Sequence, residues 1–429
     1  MSDAHPTAAR SEDGRPAAAR RDRRGRRVVA ALAVTQTVGY GVLYYAFSVF
    51  LTPMARALNA SSAQVAAALT VSVLTTSLCS PLAGRWLDHH GGRALMTAGS
   101  ALGALAVLGW SQVTTLPQLY GVFAAVGAAS AMVLYGPAFA VVVTWFDGHE
   151  QRRANALLAL TVVAGFASSI FLPLAGLLVQ AHGWRHALVV LAVLYGATAI
   201  PLHALVVRRP RTGHPPVRPA QRADLVRQAV RARPFWLLAV AFTAHSGAVA
   251  TVAVLLVTYL VHLGHPPVFA ATVAGLLGVL SVAGRVTTTG LRRRLPAAPV
   301  AAAVFALQGC GAVLLPAAGR TVTGAVGCVL LFGLGFGVGT ITLPHLLAEQ
   351  YGTAAYASLS GRVALFSVAN KALAPLGAVA LAQVAGYGPV MAAVAAACVI
   401  AACALIAYHR LPEGRLSHGE LRPGPEASP

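Results

Sequence analysis

Twelve apolar stretches, each long enough to cross a bilayer, divide six and six around an arginine-rich segment at 208–233. They fall at about 28–52, 63–83, 94–113, 118–143, 155–179, 185–207, 235–262, 267–291, 297–317, 321–347, 359–383 and 387–409. A helix needs roughly 20 apolar residues to traverse the hydrocarbon core, so each stretch predicts one span. Apolar residues make up 57% of the chain and charged residues 10%. A soluble fold of 429 residues has no interior large enough to hide that surface. The predicted fold class is an all-α membrane protein of 12 transmembrane helices, each pairing its backbone groups within itself.

Orientation follows from the basic residues, which accumulate in cytoplasmic loops. With the N-terminus inside, 28 of the 32 Lys and Arg residues fall on that side, and Arg56, Arg185 and Arg320 fall outside. Both termini are therefore expected in the cytoplasm. The same distribution accounts for the net charge of +20: basic residues at the membrane boundary orient the chain and meet anionic lipid. No aromatic-interleaved basic patch accompanies them, so nucleic acid is not an expected partner.

Residues 1–27 read as a disordered cytoplasmic tail, 208–233 as a cytoplasmic linker with one surface helix at 220–231, and 410–429 as a second tail. Span 1 is full length with no small-residue cleavage site after it, which argues against a cleaved signal peptide. The run Arg20–Arg27 has arginines in common with a twin-arginine leader and nothing else of its pattern. All 5 cysteines lie inside spans without metal-ligand spacing and read as packing residues.

The two halves echo each other. Gly84–Arg85 is matched by Gly284–Arg285, Pro173 by Pro375, and Gly183–Trp184 by Gly386–Tyr387. A duplicated six-helix unit explains these offsets, and such repeats place a substrate near the midplane between the halves. The loop after span 2 reads Gly84-Arg-Trp-Leu-Asp88-His-His-Gly91-Gly-Arg93. Gly84 permits close helix approach, and Asp88 is suited to capping a helix N-terminus. This loop resembles the signature of the major facilitator superfamily. In that family the aspartate meets span 11 and latches one transport state. The resemblance covers about residues 28–409 and implies the major facilitator fold, with bundles at 28–207 and 234–409. His89 and Gly92 replace two of the family's usual basic residues.

All 12 acidic residues fall in tails, loops or membrane boundaries, so no carboxylate is available within the spans. Lys371, the chain's one lysine, sits near the middle of span 11. A cation there costs at least about 2.5–3.5 kcal/mol, so it requires a cavity or a partner. That partner is either an anionic substrate or carbonyl oxygens at the Pro375 kink. Arg285 lies in span 8 with Ser281 and Gly278 on one face. It binds either a substrate carboxylate or headgroups and loop carbonyls.

Span 8 with Ser281-x-x-x-Arg285, span 11 with Lys371, and the run Tyr44-Tyr-Ala-Phe-Ser-Val-Phe-Leu-x-Pro53 resemble the monocarboxylate transporter and oxalate–formate antiporter branch. The resemblance implies that Arg285 and Lys371 bind substrate carboxylates. Monocarboxylate carriers have an aspartate where Ser281 stands, so proton symport by that route is not implied. Gln36, Tyr40 and Tyr44 form one stripe on span 1, and Tyr135 stands beside Pro137 in span 4. These residues are candidates to line the site or to serve as packing aromatics. His245 and His345 are candidate proton-relay residues or simple hydrogen-bonding partners. The Gly333, Gly335, Gly337 and Gly339 run reads as a place of close packing or bending. Gly165 to Gly176 with Pro173 matches the drug-antiporter pattern only in part.

The resulting expectation is a secondary transporter of a small mono- or dicarboxylate working by rocking alternating access. It is expected to be monomeric, without cofactor or metal, in a bacterial plasma membrane. A drug or metabolite exporter of the same fold is the alternative. No paired carboxylates, His-x-x-x-His pair or nucleophile–base pair within the spans points to an enzyme. A sensor would need a further soluble domain, and no nucleotide-binding motif suggests ATP drive.

Overall fold

Inside a bilayer no water is available to pair with backbone groups, so apolar runs of this length fold as helices. The computed structural model describes residues 14–207 and 218–411, with side chains from residue 23 in the first helix. Parts of both tails and of the linker lie outside the described residues. The helices are α1 (Gly14–Tyr40), a π-helical turn (Gly41–Tyr45), α2 (Ala46–Ala57), α3 (Ser62–His90) and α4 (Gly92–Ser111). Next come α5 (Leu116–Val133), α6 (Tyr135–Trp145), α7 (Glu150–Ala164), α8 (Ala167–Val206) and α9 (Pro219–Arg231). The second half holds α10 (Arg233–His262), α11 (Pro267–Leu291), α12 (Ala297–Ala318), α13 (Val322–Gly333), α14 (Val338–Tyr351), α15 (Tyr356–Ala385) and α16 (Tyr387–His409).

Among the described residues, 11 helical stretches are long and apolar enough to cross a membrane. One of them, Glu150–Val206, has 57 residues. At 1.5 Å per residue it would run about 85 Å, far beyond a hydrocarbon core of about 30 Å. A break at Gly183 (φ 74°, ψ 164°) divides it into the two expected spans and gives 12 in all. Gly386, its counterpart between the last two spans, has nearly the same backbone (φ 81°, ψ −178°). Side chains rarely tolerate this positive φ, so glycine is needed at both corners.

Two expectations change in detail. The segment read as a disordered tail is helical from Gly14 onward, continuous with span 1. Alanine and arginine are good helix formers, and a formed span 1 supplies the nucleus that the segment extends. The surface helix expected at 220–231 is α9. Elsewhere the helices overrun their apolar stretches because polar caps outside the stretch set the ends. Ser61 and Gln64 form a capping box at α3, and Thr115 and Thr321 cap α5 and α13.

One buried cluster draws on residues 42–199, around Phe47, Phe50, Trp110 and Phe123. A second draws on residues 248–398, and a third mixes the two halves through Leu87, Val143, Phe235 and Tyr356. Within the first half α3 and α5 come so close that a Cβ on Gly127 would collide with the Ser72 carbonyl. α15 packs most extensively on α3 and α10, yet only 11% of its most apolar window is buried. Its firm contacts lie in its first half, so the stretch around Lys371 faces lipid or open space.

Replacing Gly127 with valine forces α3 and α5 apart. The expected loss is about 1–3 kcal/mol, read as a lowered melting temperature of the purified protein. Gly121→Ala, on the same helix with open space around the site, is expected to leave the midpoint unchanged.

Candidate functional site

Three broken helices shape the centre of the molecule. The fourth span is interrupted at Leu134 (φ −79°, ψ −159°), where Gly136–Pro137 follows. The tenth is interrupted between Gly333 and Val338, about 200 positions later. The fifth is interrupted between Ala164 and Ala167. Proline cannot donate and glycine holds a helix weakly, so these residues tolerate the interruption. At each break backbone carbonyls come within reach of a side-chain donor as a second partner.

Arg285 reaches two of these carbonyls. Its side chain is buried at 9% exposure, with Nε donating to the Gly337 carbonyl at 3.2 Å and Nη1 to the Thr161 carbonyl at 3.2 Å. Thr161 lies in the last turn of α7, whose C-terminal carbonyls favour a cation. A guanidinium has five donors, so these two bonds leave others for a ligand. Gly337 must be small, because a Cβ there would collide with Ser281 and Arg285. The run around it is a set of close approaches: Gly335 meets Gln308, and Gly339 meets His245.

The Arg285 guanidinium is within electrostatic reach of the phenols of Tyr40, Tyr45 and Tyr135. The Tyr40 and Tyr135 rings lie 4.6 Å apart, and Tyr135 stacks on Phe139 at 4.9 Å. Lys371 approaches from the other side, with Nζ 5.7 Å from the centroid of the Tyr44 ring. That distance is within cation–π range. Among the described residues its ammonium has no hydrogen bond or ion pair, and the side chain is exposed. Arg285 and Lys371 thus both face aromatic residues contributed by the first half of the chain.

The π turn explains a residue the sequence stripe missed. An α-helix places Gln36, Tyr40 and Tyr44 in line, whereas the wider turn at Gly41–Tyr45 carries the face onward to Tyr45. Gly41 packs so tightly on Phe171 that a Cβ would overlap the ring. The two adjacent phenols then serve different cations, Tyr45 near Arg285 and Tyr44 near Lys371. In the sequence Tyr45 stands as the second residue of the run that begins at Tyr44, off the helical stripe.

Gln36 is buried, and its amide donates to the Val133 carbonyl at 2.7 Å. It braces the break at Leu134, and its Oε1 has no partner. His245 is enclosed, stacked on Phe305 at 3.9 Å and bonded through Nε2 to Gln308 Oε1 at 3.0 Å. His345 lies elsewhere, with Nε2 3.3 Å from Glu150 and 3.5 Å from Glu349. Among the described residues no group of His, Cys, Asp and Glu is arranged to hold a metal ion.

A second constellation joins the halves at the end that carries the loop after α3. Asp88 Oδ1 accepts from the Ala357 N–H at 3.1 Å and Oδ2 from the Ser358 N–H at 2.7 Å, capping α15. A Cβ on Gly84 would collide with the Ala357 carbonyl, and one on Gly361 with the Ser80 carbonyl. Ser77 Oγ donates to the Leu365 carbonyl. Gly91 turns the chain out of α3 at φ 81°, and Arg93 is exposed on α4.

Comparison with known proteins matches the Major Facilitator Superfamily over residues 32–369. Monocarboxylate transporter 13 of Bos taurus is 28% identical over 336 residues, covering 76% of this chain and 75% of its own length. The oxalate:formate antiporter of Oxalobacter formigenes is 28% identical over 188 residues, 43% of this chain and 42% of its own. Among solved structures, a bacterial homologue of the iron transporter ferroportin in an outward-facing state superposes with a TM-score of 0.73 at 16% identity. That match covers 89% of this chain and 99% of the other. The human organic anion transporter MFSD10 (TETRAN) gives 0.69 at 15% identity, over 89% and 99%. These last two likenesses speak to the fold.

Removing the Asp88 carboxylate leaves two N–H groups of α15 uncapped. Asp88→Ala is expected to cost about 0.5–2 kcal/mol, seen as a melting midpoint lower by a few degrees. Asp88→Asn keeps one acceptor and is expected to lose less.

Proposed function

The chain belongs to the Major Facilitator Superfamily of transporters, and on that premise we propose that it moves a small mono- or dicarboxylate by rocking two six-helix bundles about a central site. The bundles are residues 28–207 and 234–409, joined by a linker at 208–233. Both termini are cytoplasmic, in keeping with the 28 basic residues on that side. The protein works as a monomer in a plasma membrane, and the dominance of arginine over lysine with abundant Ala and Gly favours a bacterial source.

One observation carries the reading: Arg285 and Lys371, from spans 8 and 11, both face aromatic residues of spans 1 and 4. Among the described residues the acids lie at membrane boundaries and in loops, so no carboxylate stands beside either cation. A bound carboxylate supplies the missing charge, and its two oxygens suit a guanidinium fork and an ammonium. Tyr40, Tyr44, Tyr45 and Tyr135 wall the site and offer hydroxyl donors. Gln36 holds the fourth span in its broken form. The names of the relatives, a monocarboxylate transporter and an oxalate:formate antiporter, agree with this substrate class.

Arg285 also links binding to movement. Its bond to Thr161 crosses from the second half to the first. A carboxylate that claims the guanidinium competes with that carbonyl and weakens a contact that keeps the cytoplasmic end shut. The Asp88 cap on α15, with Gly84 at the crossing, is another latch of that state. Opening the cytoplasmic end requires these contacts to release, and loading the site loosens the first.

The test is uptake of radiolabelled small carboxylates, oxalate and lactate among them, by proteoliposomes. Lys371→Gln and Arg285→Gln are each expected to lower uptake by tenfold or more, about 1.4 kcal/mol of lost stabilisation or above. Export of a neutral drug that survives both substitutions, with no carboxylate moved by the parent protein, would favour the exporter alternative.

A further inference from the structure

Where α3 meets α15, Ser77 pairs with Leu365, Ser80 and Pro81 with Gly361, and Gly84 with Ala357. Contacts fall along α15 as they rise along α3, so the two helices run antiparallel. Both are right-handed and turn about 100° per residue. In an antiparallel pair the residue after each contact position therefore turns to the same flank on both helices. Each crossing glycine is followed by an arginine, Gly84 by Arg85 and Gly361 by Arg362. The two guanidiniums share one flank of the seam, one from each half of the chain.

That flank faces lipid. Leu78 and Leu82 follow the contact residues Ser77 and Pro81 and are 68% and 64% exposed. Phe366 follows Leu365 and is exposed too, with the Trp236 ring 5.8 Å away. On the opposite flank Ala83, Ser360 and Ala364 face Gly136 and Pro137 inside the protein. Arg85 is exposed, and among the described residues its guanidinium has no hydrogen bond or ion pair. Arg362 is half-buried, and its Nη1 donates to the Ser358 carbonyl of its own helix at 2.9 Å, which leaves further donors. Asp88 is engaged by the Ala357 and Ser358 N–H groups, and Arg85 acts on Arg362 more strongly than that carboxylate does. The seam carries an unbalanced positive pair at the end of an exposed apolar strip.

We propose that one anionic phospholipid of the cytoplasmic leaflet occupies this seam, its phosphate bridging Arg85 and Arg362 and its acyl chains lying over Leu78, Leu82 and Phe366. Charge and polarity select the occupant: two cations above an apolar strip match an anionic head on apolar tails. Phosphate oxygens also suit two guanidinium forks. The inference rests on the alternating-access reading given above and adds a lipid to it. When the cytoplasmic end opens, α3 leaves with the first half and α15 stays with the second, so the site splits. The lipid binds the closed state better and by linkage stabilises it. Without it, two like charges face each other across the seam and favour opening.

The test places the full-length protein in nanodiscs of phosphatidylcholine, or of phosphatidylcholine with about a quarter replaced by phosphatidylglycerol. No substrate is added, so an error in the substrate class leaves the result standing. Native mass spectrometry after release from the discs reads binding: the parent is expected to hold phosphatidylglycerol that Arg85→Gln and Arg362→Gln lose. Hydrogen–deuterium exchange at 356–362 reads closure. In the parent, phosphatidylglycerol is expected to raise protection roughly fivefold to thirtyfold, the scale of one or two arginines at an anionic surface. Both variants are expected to flatten that response. Arg85→Gln is also expected to raise protection in pure phosphatidylcholine, because the repulsion is gone. Arg294→Gln, an exposed arginine after α11, retains the full response. Inorganic phosphate added to phosphatidylcholine discs leaves protection unchanged. Arg85 is exposed, so its variant stays informative where a change at Arg362 impairs folding. Equal retention in parent and variants, an undiminished response in Arg85→Gln, an equal loss in Arg294→Gln, or an equal rise with inorganic phosphate would overturn the proposal. Retention lost in the variants with flat protection in the parent would overturn the tie to closure, and the rocking reading behind it, rather than the site.

Discussion

Arg285 finds its acceptors in mid-protein at the ends of two interrupted helices, Thr161 in the last turn of α7 and Gly337 at the cap of α14. Neither carbonyl is idle: Thr161 also accepts from the Gly165 N–H at 3.1 Å and Gly337 from the Thr340 hydroxyl at 2.7 Å. A carbonyl oxygen has two lone pairs, and the guanidinium takes a share of each. Charge, helix geometry and glycine content are thus one arrangement. A cation deep in an apolar protein needs oxygen, the carbonyls beside the helix breaks offer a second lone pair, and so close an approach needs residues without bulk. The price is a weaker helix, recovered in a site whose cation is only partly satisfied.

Much of this was legible in the sequence because the bilayer narrows the choices. Apolar length gave the spans, and the recurrence of Gly183 at Gly386 located the same corner in each half. The loop ending α3 announced the Asp88 contact through its resemblance to the superfamily signature, which implies that this aspartate meets span 11. The isolation of Lys371 was visible as well, because a cation without a nearby acid stands out in any apolar run.

What stayed hidden depends on backbone departures that periodicity cannot register. The stripe Gln36–Tyr40–Tyr44 assumes 3.6 residues per turn, and the π turn replaces Tyr44 with Tyr45 beside Arg285. Gln36 and His245 carry the right chemistry for a site yet face carbonyl or amide partners inside the protein. Composition does not reveal which way a polar side chain turns. The N-terminal arginines looked like a tail because they are charged, but charge does not prevent a helix already started by span 1 from growing.

The π turn at Gly41–Tyr45 amounts to one surplus residue inserted into a transmembrane helix. Losing it would rotate everything beyond by about 100° and shift which phenol meets which cation, with every side chain in the wall still encoded. Length variation inside a helix is therefore a route to a new selectivity that substitution tables would never score.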